Sequence, residues 1–504
     1  MEKNFEKLIR ELNGIGISLS AERDINKLLE IILEESIKIT ASDGGSIYIK
    51  EDENTPLLRF KIARNKSREI HFEEFVLPVN RNSIAGYAAL SGNSINLKNV
   101  KDAEELLEIR YNDTFDKKIN YKTVNMLVIP MKNYENEIVG VLQLINKKKS
   151  SDIILGKVEE IETQITPYTI FEEEIISSLA SQAGILIERT MLYDEIQELL
   201  RSFIESMVVT IEARDTTTSG HSKRLAGYAI KFLEAVDKVE YGKYKGSHFG
   251  KNEIREIYYA ALLHDIGKIG VKESVLQKAG RVSAEKIEAI EYRVKYIKMI
   301  LMKNKDLAEI KGEILPEELD EIIKMVKELN LKEFITDEEE EKLKKLKEIK
   351  VKFNGEIIEI LTEDEFKNLS VKKGNLTDEE REEINSHVIH TYNILKGINW
   401  TKELSEIPLI AGCHHEKIDG SGYPNKLMGE DISLQSKILA IIDIFEALTA
   451  RDRPYKPPMP VEKAIKILEF EVKDNHLDRE LFEIFINEKI YELYKEELNK
   501  IVKI

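Results

Sequence analysis

Residues 258–276 read YYAALLHDIGKIGVKESVL, and the reading of this segment decides the architecture of the C-terminal half. Leu262, Leu263 and Ile266 form an apolar frame, yet His264 and Asp265 sit inside it. A buried ionisable pair is unfavourable unless a partner compensates it, and a metal ion is one such partner. Residues 412–424 repeat the theme as GCHHEKIDGSGYP, with His414 beside His415. Adjacent residues on a helix do not face each other. At the end of a helix, however, two imidazoles reach two sides of one polar centre. Five of the nine histidines, His221, His264, His387, His414 and His415, fall in polar contexts of this kind.

At 504 residues the chain is too long for one ordinary domain, which predicts two or three. A net charge of −17 argues against binding a DNA or RNA duplex, where counterion release needs basic surface. A small phosphate ligand stays compatible, because a metal cluster supplies positive charge locally. The one cysteine, Cys413, excludes a disulfide framework and a cysteine-rich zinc site, and packing is its expected role. The opening MEKNFEKLIRELN lacks the apolar core of a signal peptide. No run approaches the ~18 apolar residues of a spanning helix. The expectation is a cytoplasmic protein with no membrane span.

Residues 1–170 alternate helical and strand signals. RDINKLLEIILEESIKIT carries apolar residues at helical spacing, and GGSIYIKED follows as a strand. The runs Met126–Met131 and Ile138–Ile145 flank a polar turn and predict an antiparallel hairpin. NSIAGYAALSGNSINLKNV predicts a short helix, a turn at Gly92 and a small strand. Together these segments resemble a GAF sensory domain over roughly 160 residues. The resemblance implies an antiparallel sheet between helices and a ligand pocket, with His71 and the tyrosines as candidate lining and the ligand unknown.

Residues 171–210 read as a linker helix. Ile176, Leu179, Ala183 and Leu186, then Leu192, Ile196, Leu199 and Phe203, follow coiled-coil-like spacing, which predicts a parallel homodimer.

Five ordered blocks mark residues 211–504: EARDTTTSGHSKR (212–224), LLHDIGKIG (262–270), LTDEEREEINSH (376–387), HHEKIDGSGYP (414–424) and IDIFEALTARDRPYK (442–456). In this order they resemble the HD-GYP family, HD-domain phosphohydrolases acting on cyclic di-GMP. The resemblance implies an all-α domain and metal binding by Glu212, His221, His264, Asp265, His387, His414, His415 and Asp443. It implies that Asp265 bridges two metals, with His221, His264 and Asp443 on one and His387, His414 and His415 on the other. Glu212 goes with a third metal. The donors, imidazole and carboxylate without thiolate, favour iron(II) or manganese(II). Asp265 and Lys268 are the expected catalytic residues, Lys268 one turn after His264 on the same helix and near a phosphate oxygen. Tyr423, Arg453 and Lys456 are the expected further substrate contacts. Glu446 departs from the family, which commonly has aspartate there.

The expected fold is therefore multidomain α+β: a GAF sandwich at 1–170, the linker helix, and an HD-type domain interrupted by an insertion at about 281–373. In the insertion, GRVSAEKIEAIEYRV (280–294) parallels GNLTDEEREEINSHV (374–388) and places Arg293 where His387 stands. The helix EELDEIIKMVKELN and a hairpin around Asn354–Gly355 are expected between them. The expected activity is hydrolysis of cyclic di-GMP to linear pGpG, with GMP as the alternative end product. The alternatives are a cyclic-dinucleotide receptor with little turnover and a phosphodiesterase for another cyclic dinucleotide.

Overall fold

The computed structural model describes residues 2–22, 24–52, 55–69, 74–158, 161–215, 220–303, 307–312, 314–450 and 458–492. The chain divides into two compact units, 1–200 and 201–504, and the long Ile170–Arg214 helix contains the division.

Six strands form the sheet of the first unit: β1 (Ser42–Asp52), β2 (Thr55–Asn65), β3 (Val76–Pro78), β4 (Ile95–Leu97), β5 (Met126–Lys132) and β6 (Ile138–Lys147). Their order is β3-β2-β1-β6-β5-β4, and each pairing is antiparallel. Successive side chains on a strand point to opposite faces, and both faces are apolar here. Ile47, Ile49, Leu127, Ile129, Leu142 and Leu144 pack under the Ile25–Thr40 helix and the start of the Ile170–Arg214 helix. Tyr48, Phe60, Met126, Val128 and Val141 face the Ile84–Ser91 helix. The expected sandwich and hairpin are thus present. Gly92 ends the short helix at φ 67°, a left-handed conformation open to glycine at little steric cost. A cavity of about 450 Å³ opens on the second face, walled by Tyr48, Phe60, Phe75, Tyr111 and Tyr121. His71 lies outside the described residues.

In the long helix the coiled-coil-like spacing divides. Ile176, Leu179 and Ala183 are buried in the core of the first unit. Leu192, Ile196, Leu199 and Phe203 are 48%, 60%, 70% and 57% exposed among the described residues.

The second unit is helical around its core, with a small sheet confined to the insertion. The helices His221–Asp237, Lys251–Leu263 and Leu434–Thr449 supply Leu225, Ile230, Phe232, Ile257, Ile438, Ile441 and Phe445 as fully buried residues. The insertion has a core of its own, built from Val282, Val294, Ile297, Leu319, Val326, Leu343, Val351, Ile360 and Leu369 among others. It contains the expected helix (Leu319–Leu331) and the hairpin of β8 (Lys350–Phe353) and β9 (Glu356–Glu359), edged by β7 (Glu309–Lys311). Asn354 and Gly355 turn the hairpin at φ 50° and 85°. Arg293 pairs with Glu365 at 2.5 Å. Fully buried Arg281 closes the neck of the insertion by donating to the carbonyls of Leu329, Lys332 and Val371.

Candidate metal centre

Four separated segments place the histidines. His221 opens the His221–Asp237 helix. The Lys251–Leu263 helix ends just before His264 and Asp265, and a 3₁₀ turn, Ile266–Gly270, follows. The expectation that Lys268 continues the same α-helix is therefore corrected. Gly267 explains the tight turn: a Cβ there would strike the His387 carbonyl and the Thr391 backbone. In that space Thr391 Oγ1 accepts the Gly267 N–H at 2.9 Å and donates to the His264 carbonyl at 2.8 Å. The turn is thereby locked onto the His387–Lys396 helix. A capping box of Thr377 and Glu380 starts the Asp378–Asn385 helix that leads into His387. His414 and His415 follow the short Ile407–Gly412 helix. Asp443 comes from the middle of the Leu434–Thr449 helix.

These segments bring seven of the eight expected ligands together. Three groups, His387–His414–His415, His221–His264–Asp443 and His264–Asp265–His414, each have their ligand atoms within 4.8 Å of one another. Asp265 stands between them, with Oδ2 3.4 Å from His264 Nε2 and Oδ1 3.4 Å from His387 Nε2. His221 Nε2 lies 3.3 Å from Asp443 Oδ1. Glu212 is not in any of these groups. Its carboxylate accepts the N–H groups of Gly220 at 2.8 Å and Ser222 at 3.2 Å, holding the start of the His221 helix.

The protonation pattern suits ligation. Burial drives His264, His387 and His415 toward the neutral imidazole, and it pushes His414, with His264 beside it, down to about 4. Burial opposes the charge of Asp265 and Asp443. Lys268 and the neighbouring imidazoles nevertheless hold Asp265 well below the usual carboxylate range, and His221 does the same for Asp443. Burial also disfavours the cation of His221, but Asp443 and Glu446 outweigh it and raise the group to about 10. The Nε2 atoms of His387 and His414 are buried without a hydrogen-bond partner. Buried polar atoms of this kind call for a partner, and a divalent cation accepts both lone pairs. The donor set fits such an ion.

Around the centre, Lys268 Nζ is held at 2.8 Å by Asp265 and at 2.9 Å by Asp215. The Tyr423 ring lies 5.0 Å from that of His415. The loop carrying it is shaped by glycine: Gly420 has φ 80°, and a Cβ on Gly422 would strike the backbone of Glu416 and Lys417. Buried Glu416 secures the loop by accepting the N–H groups of Asn425 at 2.7 Å and Leu427 at 3.0 Å. Arg453 and Lys456 lie outside the described residues. Sequence reasoning did not assign Asp215 or Glu416 a role, although both sit inside quoted blocks as carboxylates beside site residues.

Comparison with known proteins finds different families over the two halves of the chain. The GAF domain family matches residues 24–187, and two HD domain families match residues 218–351 and 342–481. The chain is 42% identical over 98 residues to 3'3'-cGAMP-specific phosphodiesterase 3 of Vibrio cholerae, covering 19% of this chain and 20% of that one. It is 23% identical over 303 residues to 3'3'-cGAMP-specific phosphodiesterase 2 of the same organism, covering 60% and 37%. It is 39% identical over 98 residues to the cyclic di-GMP phosphodiesterase response regulator RpfG of Xanthomonas campestris pv. campestris, covering 19% and 25%. The matches thus span between 20% and 37% of these relatives' lengths. No helix among the described residues is long and apolar enough to cross a membrane. The chain thus carries a region matching the GAF domain family at 24–187 and regions matching HD domain families at 218–351 and 342–481.

Proposed function

We propose that the second unit is a metal-dependent phosphodiesterase that opens cyclic di-GMP to linear pGpG, with GMP as the alternative end product. The observation that carries the reading is the pair of buried Nε2 atoms on His387 and His414 that make no hydrogen bond, beside the Asp265 carboxylate. His221, His264 and Asp443 would hold one cation and His387, His414 and His415 another, with iron(II) or manganese(II) as the ions the donors favour. Bound there, the cations supply charge for the phosphate and an activated water. Lys268, steadied by Asp265 and Asp215, presents its ammonium group to a phosphate oxygen. Tyr423 forms the wall beside His415, and Arg453 and Lys456 are proposed as further phosphate contacts. Glu212 is kept as the candidate ligand of a third cation.

A second reading, with 3'3'-cGAMP as substrate, is favoured by the names of two of the relatives described. We assign regulation to the first unit through a ligand of its aromatic cavity, and a homodimer to the exposed stripe Leu192–Phe203. The domain limits 1–170, 171–210 and 211–504 are proposed as the working division. One buried, unpaired cysteine suits a reducing, cytoplasmic setting.

The test is anaerobic loading with iron(II) or manganese(II), a metal count per chain, and chromatography of cyclic di-GMP and 3'3'-cGAMP separately. His264→Ala should lower turnover by more than about a hundred-fold, ~2.7 kcal/mol of transition-state stabilisation. Full metal loading with tight binding and no product would move the protein to the receptor class. The same assay without residues 1–170, with light scattering on the full chain, tests regulation and dimer. Unchanged turnover and a monomeric mass would sink those two assignments.

A further inference from the structure

Three imidazoles of the centre are oriented in one way. His264, His387 and His414 each donate Nδ1–H to the carbonyl three residues earlier, Ala261, Ile384 and Ala411, at 2.8, 2.6 and 2.6 Å. Each stands just beyond a helix, so the last turn supplies the acceptor and leaves Nε2 to face the centre.

His221 is built differently. Its Nδ1 meets the carboxylate of Glu446, a side chain of the Leu434–Thr449 helix. Glu446 is 2% exposed, and its other oxygen accepts Arg224 Nε at 2.6 Å. Arg224 lies one turn along from His221, and a Cβ on Gly220 would come within 2.8 Å of its guanidinium. The three residues therefore make one chain: Arg224 fixes Glu446, and Glu446 fixes the ring of His221.

A carboxylate partner raises the basicity of a ligating imidazole above what a backbone carbonyl gives. The same half of the centre also contains the Asp443 carboxylate, whereas the His387–His414–His415 half is three imidazoles around the shared Asp265. We propose that Glu446, anchored by Arg224, is a positioning residue that makes the His221–His264–Asp443 half the tighter cation site. This rests on the metal-centre reading above, and the test separates the two.

Metal-free full chain is titrated with manganese(II) against a chelator of known affinity, without substrate. The wild type should show two affinities. Glu446→Gln should weaken the tighter equivalent by about 10- to 100-fold and leave the weaker one in place. Glu446→Asp should recover part of the loss. Thermal melting in chelator checks folding, and Arg224→Gln, with a smaller shift in the same direction, carries the test if Glu446→Gln does not fold. Equal weakening of both equivalents, or of neither, overturns the positioning role alone. A wild type that binds no manganese(II) overturns the metal-centre reading and this inference with it.

Discussion

In the first unit the fully buried Asp43 carboxylate is enclosed by Lys148 Nζ at 3.2 Å, Ser67 Oγ at 2.6 Å and Tyr121 Oη at 2.7 Å. In the second unit His387 and His414 are buried as deeply, yet their inward nitrogens make no hydrogen bond. Both regions carry ionisable groups through the desolvation of folding. One closes every bond on itself and reads as scaffold. The other leaves bonds open in a single direction, the arrangement expected of a site that waits for an external ion.

The largest effect should come from opening the closed network. Lys148→Met leaves Asp43 charged and only partly satisfied, at a cost of about 3 kcal/mol. Urea unfolding of the first transition reads this cost, and metal stoichiometry should stay at the wild-type value. A changed metal count would break the comparison, because the scaffold would then be serving the site.

Comparable in size is the pH response of the metal-free chain. His414 has a folded pKa of about 4 against an ordinary 6.5, so the unfolded chain binds more protons between those values. Stability from this group is complete above pH 6.5 and is lost as pH falls toward 4. The loss amounts to roughly 3 kcal/mol. His264, His387 and His415 act in the same direction, and His221, raised to about 10, acts oppositely above pH 6.5. Urea melts in chelator from pH 7 to 4.5 measure the slope, and His414→Gln should flatten it. A wild-type slope of zero would mean that the imidazoles are not held neutral by burial.

The smallest expected effect sharpens the border of the site. Glu212→Ala removes the acceptor for Gly220 and Ser222 and should cost about 1 kcal/mol, like the loss of a helix cap. Thermal melting together with a metal count distinguishes its roles. Lost stability with an unchanged count makes Glu212 a cap, and loss of one metal equivalent makes it a ligand.

Which parts were legible follows from how local their causes are. The β5–β6 hairpin, the Gly92 helix end and the Asn354–Gly355 turn are written in adjacent residues, and each appears as read. The histidine and aspartate blocks were legible as motifs, although their convergence was not a matter of spacing. What escaped was pairwise and distant. Glu446 reaching His221 and Asp215 reaching Lys268 leave no periodic trace in the sequence. The end of the helix at Leu263 was missed because helical spacing continues through Lys268, while Gly267 packing on Thr391 decides the turn. The coiled-coil-like stripe was half legible, since spacing marks an apolar face without saying whether its own sheet will cover it.

The neck of the insertion has a consequence for how this chain tolerates change. Arg281 Nη2 donates to Val371 O at 3.1 Å, so the strand of chain that leaves for the insertion and the one that returns are a single guanidinium apart. Just outside, Lys278 Nζ grips Glu380 and Asn368, each at 2.7 Å. From the viewpoint of His264 and His387, the residues between form a stalked bud on a closed collar. Its length and content can drift from one descendant to another while the collar keeps the two histidines in register. The second unit thus has a place where new surface can be acquired without re-solving the geometry of its centre.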